Sequence, residues 1–399
     1  MKPTQTEPCL YTATYKSKKV LVLRQTDNFA VACEDEGTAK DLIAAINSKM
    51  SIDIKYEGLL ERFNGVDILQ TDTFLKISSQ KYIEKIKTGH GWTDKDLITS
   101  NRPIPMHNDT KYLAEIENST GPTDNKEKDK LEKEMGFSYR RGIGELIYAM
   151  VTTRPDISFA VIKLSQYASS PAKIHYDAVK QIFKYLYHTK TRGIIYWRNQ
   201  INATLPTADI ENCENPFTDD PEESTSTLLA ATDSDWGGDR KHRRSVTGFA
   251  IKLAGGVILY KTKYQSVIAT SSTEAEYMAA CESAKSILYV RMILEELDLD
   301  QQMATSLYID NNGALIMANN CGKSSKGTRH MDMKTKALQQ WVEMDLISMK
   351  RLSIEYNLAD AMTKPLGKIQ HYRHSDNIMG IRPPSYFCNK RNKAVRFNL

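Results

Sequence analysis

The stretch "LLAATDSDWGGD", from Leu228 to Asp239, joins an apolar run to three closely spaced aspartates. The run from Leu228 to Ala231 is typical of a buried strand, and Asp233 and Asp235 follow directly after it. Carboxylates at such spacing repel one another, so their clustering needs an explanation. Two explanations are open here. Asp and Gly favour turns for backbone reasons, whereas a divalent metal ion would convert the repulsion into coordination.

Downstream of this stretch, strand and helix patterns alternate. Two strands flank Gly255–Gly256, which is a strong hairpin signal. A long amphipathic helix begins near Ser271, with Ser and Thr at its start and Glu in its first turn. A strand ending at Asp310, two helices, another strand and a helix opened by Asp360 follow. Three hairpin strands followed by β–α units predict a mixed sheet with helices packed on its faces.

Four acids occupy the ends of these predicted elements: Asp233, Glu276, Asp310 and Asp360. Each has a plain structural alternative, because turns, helix caps and the first turns of helices commonly carry acids. If the first strand is central and the fourth lies beside it, both strand ends and the start of the long helix converge. Four acids there would repel one another unless cations neutralised them.

Length and composition indicate a globular chain. Its 399 residues are 41% hydrophobic and 26% charged, which predicts two or three domains with cores of their own. We find no run of about 18 apolar residues that would predict a membrane span, and no apolar signal core at the start. The six cysteines are scattered without a C-x-x-C pair, which argues against a zinc knuckle or a disulfide framework and favours a reducing compartment.

Charge is distributed unevenly along the chain. The formal net charge is +5, but residues 201–228 carry seven acids and no Lys or Arg, so the rest of the chain is near +12. We interpret this acidic, Pro-containing segment as an interdomain linker. Basic clusters occur at 239–245, 322–330 and 389–396. They suit either a polyanion-binding surface or an ordinary solvated one.

The first half of the chain has patterns of its own. Residues 19–33 predict strand, tight turn and strand, and residues 34–50 predict a helix. Residues 61–87 predict a hairpin that leads into a helix. The polar segment 119–134 predicts a mobile loop, and a helical block follows it.

Five sequence blocks resemble, in order, the RNase H domain of copia-type retrotransposon polyproteins. They are "ATDSDWGGDRKHRRSVTGFAIKL", "KTKYQSVIATSSTEAEYMAACESA", "LYIDNNGALIMANN", "KGTRHMDMK" and "LADAMTKPL". Upstream, residues 140–196 resemble the connecting region of the same polyproteins, and "LVLRQTDNFAVAC" resembles part of the reverse-transcriptase palm. The implied organisation is a palm/thumb-like remnant (1–100), a largely helical connecting region (101–200), the acidic linker (201–228), an RNase H-like domain (229–366) and a basic tail (367–399).

The resemblance implies an α+β or α/β chain whose RNase H-like mixed sheet is flanked by helices. It assigns the catalytic and metal-binding roles to Asp233, Glu276, Asp310 and Asp360. Glu274 is the rival for the second position. We prefer Glu276 because it directly precedes a short apolar run, whereas Glu274 lies three residues after Ser271 and can close a capping box.

The implied chemistry is hydrolysis of the RNA strand of an RNA–DNA hybrid. Two Mg²⁺ ions ~4 Å apart, or Mn²⁺ as a substitute, would activate the water and stabilise the leaving 3′ oxygen. Recognition would rest on shape and 2′-hydroxyl contacts. The candidates for phosphate contacts are Arg243, Arg244, Lys323, Lys326 and Arg329. His330 is a candidate for a substrate contact or, equally, for a packed or capping histidine.

The polymerase half departs from its family. The active-site turn there carries Tyr-x-Asp-Asp, whereas this chain has Gln25, Thr26, Asp27 and Asn28. We expect polymerase activity to be lost, because Asn28 offers a neutral oxygen and the upstream acid is expected to precede Met1. Two hypotheses remain: an active RNase H, or an inactive remnant that binds nucleic acid or is inert. Expected partners are the hybrid and other Pol segments, and the expected location is a cytoplasmic retroelement particle or the nucleus, without secretion.

Overall fold

Four short strands near the start of the chain form an antiparallel sheet that one helix covers. The computed structural model describes residues 1–50, 53–99, 101–198, 226–239, 241–319 and 332–381. The strands lie in the order β1-β2-β3-β4. Their bounds are Lys2–Pro3, Leu10–Tyr15, Lys18–Gln25 and Asn28–Ala32. Helix α1, Glu36–Asn47, packs on this sheet through a small core that contains Val20, Val22 and Leu42.

The hairpin of β3 and β4 confirms the strand–turn–strand prediction for residues 19–33. Gln25 pairs with Asn28, so Thr26 and Asp27 form a two-residue turn. Thr26 has a left-handed backbone with φ +54°, as tight hairpin turns of the primed types require.

A second sheet joins segments that are distant in sequence. Its strands lie in the order β5-β6-β7-β8. They are Arg62–Phe63, Val66–Gln70, Phe74–Ser78 and Gly193–Trp197. β8 pairs with β7 only after the chain has passed through a helical layer. The ranges 1–100 and 101–200 of the predicted organisation therefore share one sheet.

Helices between β7 and β8 build a large core around Leu146, Val179, Ile182 and Leu186. They are α2 (Gln80–Gly89), α3 (Asp94–Leu97), α4 (Thr110–Asn118), α5 (Asn125–Met135), α6 (Tyr139–Thr152), α7 (Ser158–Ser165) and α8 (Lys173–His188). The expectation of a loop at 119–134 is wrong over its second half, which is α5. The Asp124 side chain accepts from two backbone N–H groups at the start of this helix, and Gly136 ends it with φ +76°.

The third sheet is mixed and has the order β11-β10-β9-β12-β13. Its strands are β9 (Leu229–Asp235), β10 (Val246–Leu253), β11 (Gly256–Tyr264), β12 (Thr305–Ile309) and β13 (Ile347–Arg351). β10 is antiparallel to both of its neighbours, whereas β12 is parallel to β9 and to β13. This arrangement confirms the predicted mixed sheet, with the first strand central and the fourth beside it.

Helices cover both faces of the third sheet. They are α9 (Ser272–Glu296), α10 (Asn312–Asn319), α11 (Asp332–Glu343), α12 (Asp360–Thr363) and α13 (Lys368–Ile378). One face packs against α9 in a core that includes Ala280 and Ala284. The other face packs against α12 through Leu358 and Met362. No helix within the described ranges is long and apolar enough to cross a membrane.

Helix α13 lies in the segment that was predicted to be a basic tail, residues 367–399. Most of its buried residues are polar, among them His371, His374 and Ser375, but Tyr372 and Ile378 are buried as well. His371 Nε2 lies 3.1 Å from the Tyr185 hydroxyl on α8. Residues 367–381 are therefore packed against the helical region, and residues 382–399 lie outside the described residues.

The third sheet shares a core with the second sheet. Ile194 of β8 packs in one cluster with Leu229, Ala250 and Val257. The Trp197 N–H donates to Ala254 O at 2.8 Å. A side chain at Gly256 would meet the backbone oxygen of Ile195 at 2.4 Å. The close approach of the two sheets thus requires glycine at the start of β11.

Candidate metal centre

The direction of Asp233 follows from the alternation of β9. Leu228 and Ala230 pack in the core with α9, whereas Leu229 and Ala231 pack in the core that contains α12. Successive side chains of a strand point to opposite faces, so Asp233 belongs to the second series. It is 2% exposed. Its carboxylate is therefore buried at the carboxyl end of the central strand.

Asp310 lies beside Asp233 because β12 runs parallel to β9 in a fixed register. Tyr308 pairs with Ala231, and two further residues along both strands bring Asp310 opposite Asp233. Asp310 follows the last residue of β12 directly. The ends of two neighbouring parallel strands thus supply two carboxylates at the same edge of the sheet.

The start of α9 supplies the third carboxylate, and it decides between Glu274 and Glu276. Glu274 acts at the cap: its backbone N–H donates to Ser271 Oγ, and its carboxylate accepts from the Thr270 N–H at 2.6 Å. Glu276 instead points to β9, where its Oε1 accepts from the Ser234 N–H at 3.2 Å. Of the two, Glu276 is the one that the fold brings to Asp233.

One ligand oxygen each from Asp233, Glu276 and Asp310 lies within 4.8 Å of the others. Glu276 Oε2 is buried, and no donor among the described residues reaches it. The Thr363 hydroxyl donates to Asp233 Oδ2, and Asn357 Nδ2 lies 3.4 Å from Asp310 Oδ2. The cluster therefore holds more carboxylate oxygens than it has donors to satisfy them.

Asp360 lies outside this group of three, although it is buried and begins α12 as expected. Its Oδ1 lies 2.9 Å from Lys364 Nζ. The same ammonium lies 3.7 Å from Asp233 Oδ2. Lys364 therefore connects the fourth predicted acid to the first.

Burial and mutual repulsion dominate the electrostatics of these acids. Burial, followed by the charges of Asp233 and Asp310, raises the pKa of Glu276 far above its usual range. Burial and the charge of Asp233 likewise raise the pKa of Asp360 and of Asp310. Burial alone would lower the pKa of Lys364, but Asp233 and Asp360 outweigh it and hold that pKa above its usual range. A site with these properties favours additional positive charge.

Asp235 ends β9 and is separate from the group of three acids. Burial, followed by the charge of Asp233, raises the pKa of Asp235 to about 6. A side chain at Gly238 would meet Asp235 Oδ2 at 2.1 Å. Asp235 is thus packed against the turn that leads away from β9, which agrees with the turn explanation of the opening stretch for this aspartate.

Two of the predicted phosphate contacts lie on the loop between β9 and β10. Arg243 and Arg244 are exposed there, and Arg243 has a left-handed backbone with φ +56°. The loop leaves the sheet at the same end as Asp233. The other predicted contacts, Lys323, Lys326, Arg329 and His330, lie outside the described residues.

Curated relatives of the chain are retrotransposon Pol polyproteins. The chain is 29% identical over 366 residues to the retrovirus-related Pol polyprotein from transposon TNT 1-94 of Nicotiana tabacum, which covers 90% of this chain and 24% of the polyprotein. It is 25% identical over 371 residues to the Pol polyprotein from transposon RE2 of Arabidopsis thaliana, covering 92% of this chain and 22% of that protein. Over about 90% of its length, the chain is similar to copia-type retrotransposon Pol polyproteins.

The chain spans about a quarter of the length of those relatives. The chain is also 35% identical over 152 residues to the secreted RxLR effector protein 161 of Plasmopara viticola. This match covers 38% of the chain and 90% of that protein. No protein-family model matches the chain. A solved structure of LC11-RNase H1 matches 35% of this chain and 93% of its own, with 17% identity and a TM-score of 0.28. A second structure, of LC11-RNase H1 in complex with RNA/DNA hybrid, matches 34% of this chain and 94% of its own, with 14% identity and a TM-score of 0.27.

The four residues predicted to be a degenerate polymerase motif lie at the tip of the β3–β4 hairpin. Gln25, Thr26, Asp27 and Asn28 are all exposed. Among the described residues, the one group of three acids close enough to share a metal ion is Asp233, Glu276 and Asp310. The hairpin tip is therefore not part of such a group.

Sequence reasoning missed three residues of the candidate site: Asn357, Thr363 and Lys364. All three lie within or near the block "LADAMTKPL", which the resemblance used for Asp360 alone. Asn357 is fully buried and also donates to Thr232 O at 3.0 Å. The available signal was a basic side chain four residues after a buried acid, which is one helical turn.

Proposed function

We propose that this chain is a Mg²⁺-dependent endonuclease that cleaves the RNA strand of RNA–DNA hybrids. The observation that carries the proposal is the group of Asp233, Glu276 and Asp310, whose ligand oxygens lie within 4.8 Å of one another. Similarity to copia-type Pol polyproteins over about 90% of the chain supports the same function.

The residues fit a hard divalent cation. Carboxylate oxygens are the ligands that Mg²⁺ and Mn²⁺ prefer, and a buried Glu276 Oε2 without a donor among the described residues is an oxygen available for coordination. Asp233, Glu276 and Asp310 would hold one ion, and Asp360 would contribute to a second. When bound, the ions would supply an activated water and neutralise the leaving oxygen.

The chain's own groups would keep the carboxylates in place. The Ser234 N–H holds Oε1 of Glu276 at 3.2 Å, which leaves Oε2 free to face a ligand. Asn357 joins the two strand ends, since its amide reaches both Thr232 O and Asp310 Oδ2. In the proposed hydrolysis, water oxygen attacks phosphorus, the P–O3′ bond breaks, and the 3′ oxygen takes up a proton.

Substrate binding would use the basic loop between β9 and β10. Arg243 and Arg244 are exposed on it, and phosphate contacts from such side chains fix register without reading sequence. Trp236, 51% exposed, lies on the same loop and offers a flat face to the hybrid. Lys323, Lys326, Arg329 and His330 complete the proposed contact set, and selection for RNA would rest on its 2′-hydroxyl groups.

Polymerase activity is proposed to be lost. Asp27 is exposed and stands beside neutral Asn28, whereas a two-metal polymerase needs several carboxylates on one side. A single exposed carboxylate holds Mg²⁺ weakly, because the ion gives up its waters reluctantly.

Cleavage of a hybrid by the purified full chain tests the proposed function. Labelled RNA annealed to DNA should be cut in Mg²⁺ and left intact in EDTA, while the same RNA alone and the DNA strand should survive. Asp310→Asn should reduce the rate by orders of magnitude because it removes a metal ligand. Asp235→Asn, a matched change outside the group of three acids, should be milder.

The two variants also guard against a contaminating nuclease. Activity that persists unchanged in Asp310→Asn would show that the cleavage comes from another protein or another site. An inactive full chain, correctly folded and saturated with Mg²⁺, would favour the alternative of a catalytically inactive remnant.

A further inference from the structure

Asp233 and Asp360 share one cation, the Lys364 ammonium. Lys364 Nζ lies 2.9 Å from Asp360 Oδ1 and 3.7 Å from Asp233 Oδ2. Both carboxylates are buried, with side chains 2% and 3% exposed. An ammonium at these distances occupies space in which a cation bridging the same two residues would have to lie.

The local chain geometry delivers Lys364 to this position. Asp360 begins the short helix α12, and Lys364 follows its last residue in an extended conformation. The Lys364 backbone N–H donates to Asp360 O at 3.1 Å, which keeps the two residues adjacent. The neighbouring Thr363 hydroxyl donates to Asp233 Oδ2, so the end of α12 is fixed against β9 directly beside Lys364. The position of Lys364 is thus set by two acids and by the helix that carries one of them.

We propose that Lys364 is a built-in counter-ion of the metal centre, which occupies the cation position between Asp233 and Asp360 and must leave it before a divalent ion can bind there. This inference rests on the proposed metal-dependent function. Its chemistry is competition: an ammonium and a divalent cation carry like charges and cannot both contact the same two carboxylates at close range.

Lys364 has a route out of the site. Its side chain is 35% exposed, and the long flexible stem of lysine allows its charged end to move into water while the stem stays in place. Asp233 and Asp360, in contrast, are fixed in the interior. The exchange therefore moves the lysine and leaves the carboxylates where they are.

The consequence is a metal affinity that the protein itself weakens. Removing the competing charge should tighten divalent binding at the Asp233–Asp360 position. The effect should be smaller at the group of Asp233, Glu276 and Asp310. Among the described residues, Lys364 forms ion pairs with Asp233 and Asp360 but not with Glu276 or Asp310. Lysine would also hold the acids together when metal is scarce.

Calorimetric titration with Mn²⁺ tests this inference on the full chain. Lys364→Met should bind Mn²⁺ about tenfold more tightly than the wild type, equivalent to ~1.4 kcal/mol. Lys364→Gln, which keeps a hydrogen-bond donor for Asp360, should tighten binding as well and serves if the Met variant does not fold. Lys368→Met removes the same charge from an exposed position four residues away and should leave the affinity unchanged.

The possible results distinguish the counter-ion role of Lys364 from the metal centre itself. Wild-type affinity in both Lys364 variants, or weaker binding, would overturn the counter-ion role and leave the metal centre itself intact. An increase in affinity as large in Lys368→Met would mean that general charge is responsible, which also overturns it. Absence of Mn²⁺ binding from the wild type and from every Lys364 variant would overturn the inference together with the proposed metal-dependent function.

Discussion

At the scale of single residues, the centre combines buried carboxylates with too few donors. Glu276 accepts one backbone N–H through Oε1, and its Oε2 has no donor among the described residues. Asp233 accepts from the Thr363 hydroxyl, and the Lys364 ammonium lies 3.7 Å from its Oδ2. Buried carboxylates with so few donors destabilise the fold unless a cation binds between them. A functional site commonly has such a cost in stability.

The pH dependence of stability should reveal this compromise. The pKa of Glu276 is raised on folding, by burial first and by Asp233 and Asp310 next. A group with a raised pKa binds more protons in the folded state, so the free energy of unfolding falls as pH rises above the ordinary carboxyl range near ~4.3. Thermal unfolding in EDTA should therefore show a midpoint that decreases from pH 5 upward.

Glu276→Gln should remove part of that decrease and raise the midpoint at pH 8 by on the order of a few degrees. Glu295→Gln changes an exposed glutamate of the same helix and serves as the control. Identical pH profiles for the wild type and Glu276→Gln would contradict the electrostatic description of the site.

At the scale of elements, sequence patterns predicted the third sheet well and other parts poorly. The strands β9 to β13 and the helix α9 carry clear periodicity, and their ends bear the acids. The helix α13 escaped prediction because polar residues such as His371, His374 and Ser375 make up most of its buried residues, so it has only a weak apolar pattern. The pairing of β8 with β7 has no local signal, since the two strands are separated by the whole helical region.

The fold also could not be foreseen at the level of individual contacts. Two glutamates on one helical turn, Glu274 and Glu276, satisfy the same sequence description. Only the packing of α9 on β9 distinguishes them, because it directs Glu276 to Ser234 and leaves Glu274 at the cap. Lys364 went unnoticed for the same reason: its role depends on where α12 meets the sheet.

This difference between the two glutamates predicts opposite effects of matched substitutions. Glu274→Gln should lower stability by up to ~1 kcal/mol, because it weakens the hydrogen bonds to Thr270 at the start of α9, and should retain hybrid cleavage. Glu276→Gln should abolish cleavage without that loss of stability. Denaturant unfolding and cleavage rates measured on the same preparations check both effects, and loss of cleavage in Glu274→Gln alone would exchange the two assignments.

At the scale of the whole molecule, the RNase H-like part and the helical region form one packed body. Ile194 of β8 lies in a core with Leu229 and Val257, and the Tyr260 hydroxyl donates to Met150 O at 2.6 Å. The first sheet is more loosely attached: its own small core is separate, and polar contacts such as the Thr6 N–H to Glu296 Oε1, at 2.8 Å, join it to the end of α9. We propose that residues 61–381 are the cooperative unit.

Truncation tests this proposal. A protein of residues 226–381 should be much less stable than the full chain, since it exposes the face of the sheet that packs against β8, whereas a protein of residues 61–381 should remain folded. Thermal unfolding and hydrogen exchange of the two proteins provide the comparison. Equal stability of residues 226–381 and the full chain would restore the view of an independent domain at 229–366.

The composition of the hairpin tip predicts that the chain lacks polymerase activity. With primed RNA template, nucleotides and Mg²⁺, the chain should not extend the primer, because Asp27 stands alone beside Asn28 and no group of three acids forms there among the described residues. Primer extension that survives rigorous removal of contaminating polymerase would show that acids elsewhere assemble a polymerase site.

The central claim is that Asp233, Glu276 and Asp310 together hold a divalent ion, and locating that ion in the protein tests it most directly. Crystals of the full chain grown in Mn²⁺ can be measured for anomalous scattering, which identifies the ion by its own signal. We predict a peak between these three carboxylates that disappears in Asp233→Asn. Saturating Mn²⁺ with the three carboxylates empty, or with the ion bound only elsewhere, would contradict the claim.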